Sequence, residues 1–448
     1  MSTNTISINE KKYFSGNKFL FYDFATYLYK KYKGCQINGQ PHYFNGEYYQ
    51  LLDISTLNQI TLVELPNLSI KQNNEVFHKL KALCSRNVKD EAGSKYIGVK
   101  NGVFNLETKQ LEPFSEHLVI TSKIDTNYDP NAQSDLLESF IREVSDDNKD
   151  IEELLYQMIG YTLYSNNKFG VAFYLYSNGS NGKSSVMHII NGLVGEEHTT
   201  SLSIKELTDK FSKAHLYGSH LNLTDDVDTD AIINNTGILK SLITGERINA
   251  QLKYGSPFDF IPRTKFILAG NDLFSTSDDS YGFFRRLIIV PMTRTFDNIS
   301  NIKDPFILDK LNTDEAKSAL LNKALNGLLE AINNKGITEP EISKEYKAQY
   351  RTDNSPIRQF VAHSEEQDIS LFLGRTTTKA YQNYKNWCLE NGFKAVNSNK
   401  FGKQLKQIGY MSKQFKMPVI NQNKRVYIKD NETTAIYNDN GKFIKNIE

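Results

Sequence analysis

The feature that most constrains the fold of this chain is a stretch of small residues, 177–185 (SNGSNGKSS), between two apolar segments. The segment before it, 171–176, is apolar and aromatic and predicts a buried strand. The segment after it, 185–194, predicts a helix packed on one side. Glycines between a strand and a helix turn backbone N–H groups toward phosphate oxygens, and the helix N-terminus adds partial positive charge. The stretch therefore predicts a phosphate-binding loop in an α/β domain.

The side chains of this loop fit a magnesium–nucleotide site. Lys183 is expected to reach the β- and γ-phosphates of ATP, and the Ser184 hydroxyl to hold Mg²⁺. The other predicted nucleotide contacts are Gly179, Ser180, Asn181, Gly182 and Ser185. Ser177 replaces the first glycine of the usual pattern, and Gly179 is expected to take over part of the turn. A glycine-rich turn without a ligand is the alternative, which the flanking strand and helix disfavour.

Two later strands are predicted to end in polar side chains. Asp225 and Asp226 follow the predicted strand 216–224, and paired carboxylates there suit Mg²⁺ binding and orientation of an attacking water. Asn271 follows the predicted strand 264–270 and is expected to hydrogen-bond the γ-phosphate or that water. The alternative is the same for each, because polar residues after a strand usually begin a solvated loop.

A predicted hairpin and an arginine pair lie in the same region. A β-hairpin is predicted to open at residues 245–248. Its tip, near residues 252–255, carries Lys253 and Tyr254, a cation and a ring suited to a nucleic-acid strand. The pattern alone favours an ordinary solvated turn there. Arg285 and Arg286 lie near the start of a predicted apolar strand over 283–291. They are either a charged strand end or, in an assembly, groups that reach the γ-phosphate of a neighbouring subunit.

The positive charge of the chain is concentrated near its C-terminus. The net charge is +1, but residues 369–429 hold twelve Lys or Arg and one acid, so this segment is +11 and the remainder −10. Three predicted helices followed by two basic strands predict a winged-helix domain that binds duplex DNA. The candidate contacts are Lys400, Lys403 and Lys406 on one face of the third helix, and Lys413, Lys416, Lys424 and Arg425 on the strands. A solvated lysine face is the alternative.

The length of 448 residues predicts two or three domains. We predict a mixed α+β N-terminal domain (1–130), a nucleotide-binding domain (131–350, with a helical lead-in at 131–168) and the winged helix (355–448). The Asn-Gly pairs at 45–46 and 101–102 predict two β-hairpins in the first of these, and Ser134 is expected to cap a helix over 135–144.

The sequence also bears on location and redox state. No apolar run approaches the ~20 residues of a transmembrane helix, and the N-terminus is not a secretion signal, so a cytoplasmic location without membrane contact is expected. Cys35, Cys84 and Cys388 form no C-x-x-C pair, which argues against a zinc site or a disulfide framework. Buried, reduced thiols are expected instead.

The order of these motifs resembles the superfamily 3 helicases, and more narrowly the phage, plasmid and poxvirus helicase–primase family. The segments that carry the resemblance are 179–184, 222–226, 239–245, 265–271 and 284–287. The region around 101–104 also resembles the small N-terminal helicase-associated domain of that family. The resemblance spans residues 95–345, extends partly into the tail and is slight in the first 90 residues.

The resemblance implies an AAA+-type P-loop fold that assembles as a ring, a hexamer, around DNA, with ATP between subunits. Lys183, Ser184, Asp225, Asp226 and Asn271 would act in cis. Arg285, or alternatively Arg286, would act in trans as the arginine finger, and Lys253 would grip single-stranded DNA in the pore. The resemblance further implies translocation from 3′ to 5′.

Two hypotheses about biological role follow. Many relatives carry an upstream primase domain for which this chain leaves no room, so a separate primase or polymerase partner is expected. The Asn-, Lys-, Ile- and Tyr-rich composition suits an AT-rich bacterial host, and we expect a replication initiator helicase of a phage or staphylococcal-type mobile element. The second hypothesis is an origin-binding initiator or regulator that uses ATP as an assembly switch and does not unwind. The lysine-bearing hairpin favours the first, and a small-molecule kinase would leave the basic tail unexplained.

Overall fold

The computed structural model describes most of the chain. The described residues are 10–88, 95–177, 179, 181–225, 227, 236–253, 257–274, 276, 278, 280–295, 304, 306–367, 370–417, 422–429 and 432–447. The chain divides into two compact units. The first comprises Met1–Ala231, Asn235–Phe274 and Arg285–Lys344, and the second Ile232–Asn234, Ser275–Phe284 and Glu345–Glu448. The domain boundaries predicted at 130 and 350–355 stay predictions.

The N-terminal part of the first unit combines three helices with small antiparallel sheets. The helices are α1 (Phe21–Lys31), α2 (Ile54–Glu64) and α3 (Ile70–Leu83). The strands are β1 (Phe14–Ser15), β2 (Lys18–Phe19), β3 (Cys35–Ile37), β4 (Gln40–Phe44), β5 (Tyr49–Leu51), β6 (Tyr96–Val99), β7 (Gly102–Asn105) and β8 (Gln110–Glu112). The predicted hairpins at Asn45–Gly46 and Asn101–Gly102 are confirmed as β4–β5 and β6–β7. The Asn45 side chain accepts the backbone N–H groups of residues 47 and 48, which closes the first turn.

The remainder of the first unit is an α/β core. Its helices are α4 (Asp135–Val144), α5 (Lys149–Leu163), α6 (Lys183–Val194), α7 (Thr236–Thr244), α9 (Ile307–Leu311) and α10 (Asp314–Asn333), with α8 (Tyr281–Phe284) belonging to the second unit. Its strands are β9 (Ala172–Tyr176), β10 (Thr199–Thr200), β11 (Leu221–Thr224), β12 (Ile248–Gln251), β13 (Pro257–Phe260), β14 (Lys265–Gly270) and β15 (Leu287–Pro291). Ser134 caps α4 through its side chain, as expected from the sequence.

Five of these strands form one parallel sheet in the order β10-β11-β14-β9-β15. Strands β9 and β14 read as largely apolar runs, which is typical of strands buried on both faces, and all six residues of β14 are buried. Strand β9, the phosphate-binding stretch and α6 follow one another directly. The predicted strand–loop–helix unit is thus present in a P-loop core with a parallel sheet.

Two glycines allow α5 and α10 to pack at close range. A Cβ atom on Gly160 would lie 2.1 Å from the carbonyl oxygen of Ala324, and one on Gly327 would lie 2.7 Å from the backbone of Tyr156. Since real Cβ atoms do not approach backbone so closely, glycine is required at both positions. This contact anchors the helical lead-in to the C-terminal helix of the core.

The second unit contains helices followed by two antiparallel hairpins. Its helices are α8, most of α11 (Glu341–Asp353), α12 (Pro356–Glu365), α13 (Thr377–Glu390) and α14 (Ser398–Gln407). Its strands are β16 (Tyr410–Met417), β17 (Gln422–Lys429), β18 (Thr434–Tyr437) and β19 (Phe443–Ile447). The three helices and two strands predicted for the tail are confirmed, whereas the β18–β19 hairpin was not predicted.

Two further expectations need correction. Residues 283–284, expected to begin a strand, form the end of α8, and the strand begins at Leu287. Residues 212–216 form a 3₁₀ helix, so β11 is shorter than the expected strand.

All three cysteines are buried thiols without a disulfide. No described helix is both long and apolar enough to span a membrane.

Candidate functional site

The phosphate-binding loop has the backbone geometry that its glycines predict. Gly179 has φ 114° and Gly182 has φ 81°, a region that residues with a Cβ atom rarely occupy. Gly182 is also the N-cap of α6, and its carbonyl accepts the Val186 N–H at 2.9 Å. The first N–H groups of α6 have no partner within the helix and are positioned for an anion. Gly179 and Gly182 thus take left-handed backbone conformations in this loop, whereas Ser177 does not, and the expectation that Gly179 replaces a turn at position 177 stays a prediction.

Three neighbouring strands of the sheet deliver polar side chains to the same edge. Ser177, Asp225 and Asn271 directly follow β9, β11 and β14, which lie side by side and run parallel. Ligands of open parallel sheets bind at this carboxyl edge. The buried Tyr174 of β9 donates its hydroxyl to the Asp272 carbonyl at 2.6 Å and so fixes the turn that carries Asn271. The sequence analysis did not identify Tyr174. The feature that could have indicated its role is a hydroxyl group within an otherwise apolar predicted strand, which needs a hydrogen-bond partner when buried.

Lys183 joins two of these strand ends. Its ammonium group is buried and donates to Asn271 Oδ1 at 2.8 Å and to the Ser177 carbonyl at 3.4 Å. It also donates to the Ser177 hydroxyl. The lysine predicted to bind phosphate and the asparagine predicted to contact the γ-phosphate are thus in direct contact. Ser177, which replaces the first glycine of the usual loop pattern, supplies a further hydrogen-bond acceptor for Lys183 through its hydroxyl.

Ser184 and Asp225 form the other pair. The Ser184 hydroxyl donates to Asp225 Oδ2 at 3.1 Å, and both side chains are exposed. A hydroxyl and a carboxylate are oxygen ligands of the kind Mg²⁺ prefers, and protein sites for Mg²⁺ usually leave the remaining positions to water and substrate phosphates. Among the described residues, no cluster of three or more His, Cys, Asp or Glu side chains forms a metal cage. The residues present therefore fit a nucleotide-borne magnesium ion.

The remaining loop residues have mixed positions. Asn181 is buried and donates to the Arg294 carbonyl at 2.5 Å, while its Oδ1 atom has no hydrogen-bond partner in the described part of the chain. Ser185 is half-buried in the first turn of α6. Ser180 and Asp226 lie outside the described residues. Their predicted roles stay predictions.

The two arginines before β15 differ in their surroundings. Arg285 is exposed, whereas Arg286 is half-buried and its carbonyl accepts the Ala172 N–H at 2.7 Å. Burial lowers the pKa of Arg286, the charge of Arg285 lowers it further, and Glu246 opposes that shift. Arg285 therefore carries the more accessible of the two guanidinium groups.

The hairpin β12–β13 lies next to a basic, aromatic turn that the sequence reading did not single out. Lys253 is exposed after β12, and Tyr254 lies outside the described residues. The Gln251 N–H donates to the Lys210 carbonyl at 3.0 Å. The Lys210 ammonium lies 4.8 Å from the ring centroid of Phe211, which is 40% exposed. A Lys-Phe pair in a polar segment was the available signal.

In the second unit, the predicted basic residues fall on different surfaces. Lys400, Lys403 and Lys406 are exposed on α14, whose Phe401 and Leu405 face the core of the unit. On the hairpin β16–β17, Lys413, Lys416 and Arg425 are exposed, and Lys424 pairs with Asp439 at 3.2 Å. Consecutive residues of a strand point to opposite faces, so Lys424 and Arg425 do not share a surface. The lysine row of α14 is the more continuous candidate contact.

Three segments of the chain match the models of known protein families. Residues 26–146 match a family described as D5 N terminal like, and residues 352–440 match one described as poxvirus D5 protein-like. Residues 175–286, which hold the strand-end cluster, match a family of unknown function, DUF5906. No single family covers half of the chain.

One relative and one solved structure extend this picture. The chain is 22% identical over 320 residues to "Putative helicase L207/L206" of Acanthamoeba polyphaga mimivirus, across 66% of this chain and 33% of that protein. The chain thus spans about a third of the length of this relative. A solved apo structure of the C-terminal region of NrS-1, in its A form, matches with a TM-score of 0.51 at 12% identity. The match covers 91% of this chain and 98% of that chain, and at this identity the likeness concerns the fold alone.

Proposed function

Because the chain belongs to the superfamily 3 helicases of the phage and viral D5 type, we propose that it is an ATP-dependent DNA helicase and replication initiator. The observation that carries the proposal is the contact of Lys183 with Asn271 beside the Ser184–Asp225 pair, at one edge of a parallel sheet. In this proposal the subunits form a ring, a hexamer with an AAA+-type core, around single-stranded DNA. Translocation runs from 3′ to 5′.

The strand-end residues divide the work of ATP hydrolysis. Water attacks the γ-phosphorus, and the bond to the β–γ bridging oxygen breaks. Lys183 stabilises the charge on the β- and γ-phosphates, and Asn271 orients the γ-phosphate or the attacking water. Ser184 and Asp225 would hold a magnesium ion, which would supply positive charge to neutralise the phosphates, and Asp226 would orient the water.

The arginine finger completes the site from outside the subunit. Arg285, two residues before β15, is exposed, whereas Arg286, directly before the strand, is half-buried. In the ring, Arg285 reaches the ATP of the neighbouring subunit and stabilises the charge of the transition state. Hydrolysis therefore depends on assembly, which couples the ATP cycle to the ring.

The hairpin β12–β13 transmits the nucleotide state to DNA. It follows α7 and precedes β14, the strand that delivers Asn271, so a shift of that strand end on hydrolysis can be passed to the hairpin. Lys253 contacts the phosphate backbone, and the neighbouring Lys210–Phe211 pair offers a second cation and a ring for stacking. These groups form the proposed single-strand grip.

The C-terminal unit supplies the proposed duplex contact. We propose that it is a winged helix whose α14 lysines lie against the phosphates. Replacing Lys400, Lys403 and Lys406 together by glutamine should weaken duplex binding and lower the salt slope of log K by about 3. Fluorescence anisotropy with a labelled duplex at several salt concentrations measures this. An unchanged salt slope would contradict the proposal that the α14 lysines contact the duplex.

The function is tested by strand displacement on a forked duplex with ATP. Wild type should unwind, Lys183→Ala should neither hydrolyse ATP nor unwind, and Lys253→Ala should hydrolyse ATP without unwinding. Lys149→Ala, which removes an exposed charge at the start of α5, is the matched control and should behave as wild type. Wild-type hydrolysis by Lys183→Ala would refute the site assignment. ATP turnover and DNA binding by wild type without strand displacement would favour the origin-binding initiator that uses ATP as an assembly switch.

A further inference from the structure

A polar groove in the N-terminal part of the first unit has no role in the ATP site. Its volume is about 570 Å³, within the range of ligand sites in proteins. Lys30, Lys33 and Arg86 line it and are all exposed. Among its described lining residues, Glu116 supplies the one carboxylate, and it pairs with Lys33 at 3.2 Å. The groove therefore carries an excess of positive charge.

The cations come from separate segments that hydrogen bonds hold together. The Gln36 N–H donates to the Arg86 carbonyl at 2.8 Å, and the Val88 N–H donates to the Gln36 carbonyl at 2.8 Å, so the Arg86 segment pairs with the edge of β3. The Tyr49 hydroxyl donates to the Glu116 carbonyl at 2.8 Å and ties the third segment to β5. The groove is thus formed in advance of any ligand, and its charges need little reorganisation on binding.

The lining of the groove also includes two ring side chains. Tyr29 is half-buried and His117 is exposed in the groove wall. The backbone passes close to the tyrosine because residue 34 is glycine, and a Cβ there would lie 2.8 Å from the Tyr29 ring. The neighbouring Lys31 is turned away, because its ammonium group and the hydroxyls of Tyr27 and Tyr32 all donate to Glu64. The charges left in the groove are therefore specifically those of Lys30, Lys33 and Arg86.

We infer that this groove binds a segment of single-stranded nucleic acid, separately from the grip in the pore. Cations spaced along a groove neutralise successive phosphates, and the rings of Tyr29 and His117 take the bases by stacking. The site needs neither ATP nor the strand-end cluster. It gives the ring a second hold on the strand that enters or leaves the pore.

The test is binding of a fluorescein-labelled oligothymidylate of about twenty nucleotides to the full chain without nucleotide, at several salt concentrations. The variant Lys30→Gln/Lys33→Gln/Arg86→Gln should bind about tenfold more weakly, and its salt slope should fall by about 2. The matched control removes three exposed lysines outside the groove, Lys18→Gln/Lys71→Gln/Lys81→Gln, at equal cost in charge. Equal losses in both variants would show general electrostatic attraction and overturn the proposal.

Two further measurements separate the remaining outcomes. Glu116→Gln removes the carboxylate of the groove and should tighten binding, and weaker or unchanged binding would count against the site. Cross-linking with an oligonucleotide carrying 5-iodouracil should label the peptide that contains Tyr29, and labelling confined to the Lys253 hairpin would overturn it. Displacement of the oligonucleotide by thymidine monophosphate at low concentration would assign the groove to free nucleotides instead. ATP hydrolysis should be unchanged in the groove variant, so failure of this inference leaves the helicase proposal standing.

Discussion

Removing the hydroxyl of Ser177 should tighten ATP binding. This hydroxyl accepts a hydrogen bond from the Lys183 ammonium group, which must turn toward the phosphates when ATP binds. Hydrogen bonds to charged groups contribute about 1.5–3 kcal/mol, and the contacts of Lys183 with Asn271 Oδ1 and the Ser177 carbonyl would remain. A net gain of about 1–2 kcal/mol, or roughly 5- to 30-fold in Kd, is expected for Ser177→Ala.

Alanine is the cleaner replacement at this position. Ser177 is buried and does not occupy the positive-φ region, so alanine fits the backbone without the added flexibility of glycine. Equilibrium titration with a fluorescent ATP analogue measures Kd, and steady-state hydrolysis gives KM and kcat separately. Ser219→Ala, which removes a buried hydroxyl bonded to Leu216 and Thr264, is the control and should leave Kd unchanged. Unchanged or weaker ATP binding by Ser177→Ala would refute competition between the hydroxyl and the phosphates.

Two stability predictions follow from the packing of the first unit. Gly160→Ala should lower the free energy of unfolding by about 1–3 kcal/mol in urea denaturation, because its Cβ would meet the Ala324 carbonyl; Gly336→Ala, in open space, is the control. Burial lowers the pKa of His220 to about 3. Between pH ~6.5 and pH ~3 the unfolded chain therefore binds a proton at this histidine and the native chain does not. The free energy of unfolding consequently decreases as the pH is lowered through that range. His220→Gln should remove about 2 kcal/mol of that loss at pH 5, whereas the exposed His78→Gln should not; equal slopes for both would contradict the assignment.

The fold was predictable where one periodicity governed a segment. Helices α4, α13 and α14 and the turns at Asn-Gly follow from caps, apolar spacing and turn residues, which are local signals. The helix at residues 281–284 was mistaken for a strand because Phe283 and Phe284 continue an apolar run into β15, and a short run does not distinguish a buried helical turn from a strand. The β18–β19 hairpin lacks a strong alternation and was missed.

The site was predictable to the level of residue types but not of contacts. The sequence placed Lys183, Asp225 and Asn271 after separate predicted strands, and only the family resemblance implied that they act together. Which strands are neighbours depends on long-range pairing, so neither the Lys183–Asn271 contact nor the Ser177 hydroxyl bond was foreseeable. The Lys210–Phe211 turn was missed for the same reason, since its position beside β12 depends on a backbone contact between distant segments.

The strand order also governs how the protein is made. Strand β9 is synthesised before both of the strands that flank it in the sheet, β14 and β15. Its residue Phe173 pairs with Ile267 and Ile288, which follow roughly a hundred residues later. At typical elongation rates, the backbone N–H and C=O groups of β9 stay without their strand partners for on the order of ten seconds after synthesis. Nascent chains that stop before Lys265 therefore expose an unpaired, fully apolar strand, and in the cell they are the species most in need of a chaperone.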